Sequence, residues 1–342
     1  MAAPIRIGLV GSGYIAGVHA TSILGNPKFR LTKVFSPSKQ RRQAFADRFG
    51  CHPVPVVDEI VEASDVDAVV VASSTDTHSE IALRTVQAKK PLYCEKPIDL
   101  NLVRAKATAD ALTNVSVPVM YGFNRRYDPS HSAVQQDVQA GRIGDLQLLQ
   151  MRSRGGQSPP TPGYVGTSGG IIRDKGVHFF DMIRFIADDE PVCVFAVGSS
   201  LAHPFIGKLN DYDTFVATLQ LRSGAICHID NTRTSPLGYD ERIDAFGTKG
   251  MIESIGVPKT MVARMNGASV GYDRFPQNNL ERVGDSFPRA IEAFAQLVGG
   301  KDIRVPTVAD AFAAQLIAEA AVVSAAEKRA VSIAEVAAAL KT

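Results

Sequence analysis

The 342-residue sequence predicts an α/β protein in two parts, a doubly wound parallel sheet followed by an α+β half. Three observations carry this. Short β-branched runs alternate with helical patterns from Ile5 to Gly122. A Gly11-Ser12-Gly13 turn joins the first such run directly to the first helix. After Arg126 the rhythm changes, and strands follow one another with only turns between them. The chain exceeds one core of usual size, so two domains are expected, at 1–123 and 124–342.

In order along the first part, the strands are expected at Ile5–Val10, 31–35, 68–72, 91–94 and 117–121. Thr77 and Glu80 have the spacing of a capping box, which starts a helix running to Lys89-Lys90 before Pro91. In the second part a helix from Ser130 stops at Gly141, and a strand follows at 146–152. A Gly/Pro-rich stretch at 155–170 reads as a binding loop. Beyond it come a helix at 174–187, several strands from 192 to 263, and three helices at 286–299, 307–327 and 332–340. The last two open with the capping-box pairs Thr307/Asp310 and Ser332/Glu335.

Composition excludes several classes of partner. The net charge is +2 and the basic residues are scattered without interleaved aromatics, which argues against nucleic acid. The longest apolar runs, 66–72 and 313–326, are shorter or more interrupted than the roughly 20 residues a bilayer needs, so no membrane span is expected. The N-terminus passes straight into a strand and glycine pattern without a leader's basic and apolar regions, which points to the cytoplasm. Cys51, Cys94, Cys193 and Cys227 are widely spaced and no His cluster has metal spacing, so reduced thiols and no metal are expected.

Gly11-Ser12-Gly13-Tyr14-Ile15-Ala16 has the G-x-G-x-x-G/A form in the strand-to-helix setting that dinucleotide binding requires. Gly11 permits the tight turn, and Gly13 lets the backbone approach a pyrophosphate on the helix N-terminus. An NAD site carries an acid about 20 residues on, for the ribose 2′-hydroxyl. No acid occurs from Leu31 to Ala46, whereas Ser36 can donate a hydrogen bond and Arg41 can pair with a phosphate. NADP is favoured and NAD possible. Lys39, Arg41 and Arg42 read equally as a solvated helix face. The ends of the other strands line the same crevice, which adds Ser73, Ser74, Thr75, His78, Glu95 and Lys96 to the cofactor candidates.

Removing hydride from an alcohol needs a base for the proton and a positive group for the developing alkoxide. Lys96 at a strand end supplies one candidate, and Asp174 with His178, four apart on one helix, supply another. Taken alone, Lys96 is equally a solvated strand end, and Asp174 and His178 a cap and a half-buried histidine.

Three segments, Glu95-Lys96-Pro97, Gly122 to Pro129 and Ser168 to His178, resemble the Gfo/Idh/MocA oxidoreductases, and the similarity runs nearly end to end. Within that family, the segments 230–233, 238–242 and 246–250 are most similar to inositol dehydrogenases. The resemblance implies a Rossmann domain, then an α/β domain whose open, mostly antiparallel sheet serves as a subunit interface in a homodimer or homotetramer. It places the active site between the two domains. It also implies that Lys96, Asp174 and His178 are catalytic, with a cis peptide before Pro97, and it adds Asn124 and Arg125 to the cofactor set. The substrate becomes a secondary alcohol of a cyclic polyol or sugar.

Two departures bear on which one. Many inositol-type members carry Arg-Asp where this chain has Arg154-Gly155, and His-Asp where it has His178-Phe179. Asn124, Arg154, Tyr164 and Tyr239 are candidate hydroxyl contacts beside the catalytic three, although each could equally anchor a loop. A dehydrogenase of another sugar or of a dihydrodiol, and a non-catalytic NAD(P)-binding sensor, stay open as alternatives.

Overall fold

A computed structural model describes residues 3–340, in two compact units. The described residues up to Tyr127, with Ser286–Ala313, make the first; Asp128–Asp285 and the described residues from Ala314 onward make the second.

The first unit is built on six strands: β1 (Ile5–Val10), β2 (Phe29–Phe35), β3 (His52–Val54), β4 (Ala68–Val71), β5 (Leu92–Cys94) and β6 (Val119–Tyr121). They lie in the order β3-β2-β1-β4-β5-β6, and every pair is parallel. This is the doubly wound arrangement, with the order reversing beside β1 and β4, where such sheets bind ligands. Every residue of β4 is buried, as expected for a strand covered on both faces. β3 escapes the sequence pattern because it is three residues long with a proline at its centre.

One element departs from the expected domain division. The helix Ser286–Val298 packs with the first unit, although residues after 124 were assigned to the second domain. Its buried face, Phe287, Ala290, Ile291 and Phe294, completes the core under β1 and β2. The Phe294 ring centroid lies 5.7 Å from that of Tyr93 and 6.2 Å from that of Phe29.

Two capping boxes are not formed. A 3-10 turn at Thr75–Thr77 precedes the helix His78–Gln87, so Thr77 is already helical, and its hydroxyl bonds back to Ser74 and Ser73. Ser332 makes no side-chain cap, and Glu335 pairs with Arg329. The box at Thr307 and Asp310 does form, with reciprocal bonds of 3.0 and 3.1 Å. Among the described residues one helix, Val308–Glu327, has the length and composition to cross a membrane, and most of it is buried inside the protein.

The second unit carries β7 (Leu146–Arg154), β8 (Pro191–Ser199), β9 (Thr214–Leu221), β10 (Ile226–Thr232), β11 (Asp240–Gly247), β12 (Gly250–Ser254), a separate hairpin β13 (Ala263–Met265) and β14 (Val270–Tyr272), and β15 (Val331–Ser332). The main sheet runs β12-β11-β7-β10-β9-β8-β15, antiparallel except where β10 pairs with β7. Alternation sorts its faces: Leu149, Met151, Cys227, Ile229, Phe215 and Ala217 are buried on the inner one. The helices Pro129–Gln139 and Val177–Ala187 pack on that side. The outer face is open, with Phe195, Val197, Ile226 and Phe246 all over 40 % exposed.

Candidate active site

In the first unit, Gly11 ends β1 at φ +122°, and a Cβ there would lie 2.3 Å from the Ala72 carbonyl oxygen, so only glycine fits between β1 and β4. Gly13 caps the helix Tyr14–Leu24 without any side-chain bond, and a Cβ on it would meet nothing within 4 Å. Gly13 thus leaves room beside the start of the helix, and no acidic residue lies in its first turn. A pyrophosphate fits such a helix terminus.

At the end of β2, Ser36 is buried and its hydroxyl accepts from Ser12 at 2.8 Å. Arg42 folds back, its Nη1 donating to the Ser36 carbonyl at 3.1 Å, while Arg41 is exposed and its amide is capped by Ser38. Of the two arginines, Arg41 thus keeps its side chain toward solvent.

Several candidates turn out to be struts. His78 is buried, with Nδ1 2.9 Å from the Pro97 carbonyl and Nε2 3.2 Å from that of Ser73, so it ties the loops after β4 and β5 together. Burial pushes its pKa down, which keeps the ring neutral. Glu95 is also buried, its Oε1 2.7 Å from Nε2 of His19 and its Oε2 accepting the Lys96 amide at 3.2 Å. Burial alone would raise the Glu95 pKa; the His19 bond and the neighbouring charges outweigh it and hold the carboxyl below its ordinary value. Asn124, 1 % exposed, donates to Ser286 Oγ at 2.7 Å and accepts from Arg125, itself buried. His78, Glu95, Asn124 and Arg125 are thus tied to the protein around them, and Ser36 and His178 are buried to a similar degree. Lys96 is half-buried and precedes Pro97 through a cis peptide.

In the second unit, the turn bearing Asp174 is π-helical, Ile172–Gly176, and runs into the helix Val177–Ala187, whose second residue is His178. Such widened turns recur at functional sites. The Tyr164 hydroxyl donates to Asp174 Oδ2 at 2.5 Å, and Arg233 Nη1 lies 3.9 Å from the same oxygen. Partial burial, then the Asp174 charge, raise the Tyr164 phenol above its usual range. Lys175 donates to the Thr232 carbonyl at 2.8 Å and stands 5.5 Å over the Tyr239 ring, whose hydroxyl donates to Glu241 at 2.9 Å. The structure thus gathers Tyr164, Asp174 and Tyr239, and adds Lys175, Arg233, Asp211 and Glu241, which no local pattern singled out.

Arg154 belongs to a strand. β7 runs two residues beyond the expected end, so Arg154 is a strand residue of the outer face, paired with Asp230 there while Ser153 points inward.

Comparison with known proteins agrees with this geometry. Residues 5–123 match the family model described as an oxidoreductase family with an NAD-binding Rossmann fold, and residues 131–253 match the GFO/IDH/MocA C-terminal domain. The chain is a Gfo/Idh/MocA oxidoreductase. An inositol 2-dehydrogenase of Rhizobium meliloti is 38 % identical, covering 96 % of this chain and 99 % of its own. A myo-inositol 2-dehydrogenase of Thermotoga maritima is 35 % identical, covering 97 % and 99 %. Among solved structures, the scyllo-inositol dehydrogenase of Lactobacillus casei with bound NAD(H) and scyllo-inositol superimposes with a TM-score of 0.88 at 27 % identity, covering 97 % of this chain and 100 % of that one.

Proposed function

We propose that this oxidoreductase oxidises a secondary alcohol of a cyclic polyol, of the inositol class, or of a related sugar. The observation that carries the reading is the 38 % identity to an inositol 2-dehydrogenase across almost the whole of both chains, with Lys96, Asp174 and His178 all present. When bound, a nicotinamide dinucleotide accepts the hydride from the alcohol carbon. Ser12, Gly13 and the amides opening the helix Tyr14–Leu24 would hold its pyrophosphate, and Ser73, Ser74 and Thr75 after β4 its neighbouring groups. His178 removes the hydroxyl proton, Lys96 holds the oxygen as charge develops, and Asp174 orients His178 and balances its positive charge.

NADP is the favoured cofactor, since the end of β2 offers Ser36 and exposed Arg41 and lacks an acid. NAD is the second reading, favoured by the NAD(H) bound in the Lactobacillus casei structure. We infer further that the chain works in the cytoplasm, and that it is a homodimer or homotetramer, because the open face of its seven-stranded sheet exposes Phe195, Val197, Ile226 and Phe246.

The test is absorbance of reduced nicotinamide with a panel of inositols, sugars and dihydrodiols, NAD and NADP supplied separately. Turnover on an inositol or sugar establishes the activity. Cofactor binding without turnover on any panel member would replace it with the sensor reading.

A further inference from the structure

Arg233 follows β10 directly and is buried, yet its guanidinium serves two carboxylates. Nη2 donates to Asp211 Oδ2 at 2.6 Å, Nη1 stands 3.9 Å from Asp174 Oδ2, and Nε donates to the Tyr212 carbonyl at 3.3 Å. Asp211 is buried as well, and its other oxygen accepts the Ile171 amide at 2.9 Å, at the entrance to the π-helical turn. One ion pair therefore fixes both the backbone leading to Asp174 and the charge beside its carboxylate. Tyr164 reaches the same Oδ2 from the helix Pro162–Thr167. The Tyr164 hydrogen bond and the nearby guanidinium charge act on one oxygen, which sets the rotation of the carboxyl group and with it the direction of the other oxygen.

The charges on the page act in one sense. Asp174 is addressed by Arg233 and Tyr164, with Asp211 beyond Arg233, Tyr239 beyond Tyr164, and Lys175 and His178 on its own segment. Without the guanidinium, two carboxylates that share one cation would face each other across a buried space, which favours protonation of one of them. We propose that Arg233, anchored by Asp211, is the positioning residue that keeps Asp174 ionised and turned for its work on His178. This rests on the reading of Asp174 and His178 as reacting groups.

The test is the pH profile of kcat/KM for the full-length protein, with NAD or NADP and its best polyol, for Arg233→Met, Arg233→Lys and Asp211→Asn beside Asp174→Asn and His178→Ala. Losing the cation raises the pH at which Asp174 and His178 shed their protons, so the acidic limb of Arg233→Met moves up by about one unit and activity at neutral pH falls about tenfold. Arg233→Lys recovers most of both. Asp211→Asn keeps the acceptor for Ile171 but leaves Arg233 to Asp174 alone, so its acidic limb moves down, and this arm holds even if Arg233→Met fails to fold. Limbs unmoved in Arg233→Lys and Asp211→Asn, with Asp174→Asn and His178→Ala inactive, would make Arg233 a structural strut and overturn the proposal. Full activity in Asp174→Asn and His178→Ala would instead remove the catalytic reading beneath it.

Discussion

The two units hold their functional groups by different means. In the first, the glycine loop, Ser36, Ser73 and Lys96 all sit at the ends of adjacent parallel strands, so the backbone itself places them. Buried pairs behind them, His19 with Glu95 and His78 with two carbonyls, brace the strand ends. In the second, Asp174 lies in a turn, and the partners of its carboxylate come from positions 164 and 233, with 211 behind them. A site placed by strand ends takes its geometry from the backbone. One assembled from side chains on separate loops depends on each charge in it.

The largest test of that contrast is His178→Ala. Loss of a positioned base costs roughly 10²–10⁴-fold in kcat, about 3–5 kcal/mol, with the cofactor dissociation constant unchanged because the dinucleotide loop belongs to the other unit. Steady-state kinetics and a nicotinamide fluorescence titration measure the two, and undiminished kcat would take His178 out of the reaction.

In the first unit the vulnerable group is a brace. His19→Leu strands the Glu95 carboxylate in the core, and breaking a buried pair from one side costs about 3–5 kcal/mol in urea denaturation. The pH dependence has a definite sign. In the parent protein Glu95 is held below its ordinary value, so its contribution is present above the carboxylate range and is lost as pH falls through the lowered value. In the variant burial is opposed only by Lys96 and His78, so the Glu95 pKa moves up, and the gap between the two proteins is widest above the carboxylate range and narrows in acid. A gap independent of pH would show that His19 acts by packing alone.

Cofactor choice should yield to a single strand-end side chain. Ser36→Asp supplies the acid that β2 lacks, and we expect kcat/KM for NADP to fall about tenfold or more while that for NAD stays within a few-fold. Equal losses with both cofactors would detach Ser36 from the ribose.

The smallest effect is at the surface. Lys28, Gln296 and Asn26 hold Glu292 at about 2, from an ordinary 4.5. That stabilisation exists above pH 4.5 and disappears as pH falls toward 2, and solvent screening limits it to under about 1 kcal/mol. Thermal melts of Glu292→Gln should differ from the parent slightly at pH 7 and not at all at pH 2.

How far the sequence could be read follows the same division. The glycine loop and five of the six parallel strands announce themselves because each is a contiguous pattern with its own punctuation. The helix Ser286–Val298 is legible as a helix, but its place in the first unit is not, since Asn26 meets Glu292 across 266 positions and no local period encodes that pairing. Thr77 and Glu80 have the spacing of a cap, but a preceding 3-10 turn puts Thr77 inside the helix. At the site, Asp174, Tyr164 and Tyr239 were visible as residue types in a suggestive order. Arg233 stood in a motif noted only for its resemblance, and Asp211 carried no signal, because it lies 22 residues from the guanidinium it anchors. β7 runs to Arg154, two residues beyond the end that the sequence pattern predicts.

Gly155 carries a last consequence. Its amide donates to the Thr232 carbonyl at 3.1 Å, and a Cβ added to it would lie 1.8 Å from the Arg233 carbonyl oxygen. An aspartate at 155 is therefore not a free choice. It has to follow, or coincide with, a change in the path of residues 232–233, and that path holds the guanidinium facing Asp174. Mutational routes between pockets of this type are consequently ordered. A library that varies 155 alone will return misfolded or silent clones, whereas one that varies 155 together with 232–234 samples pockets this backbone can accept.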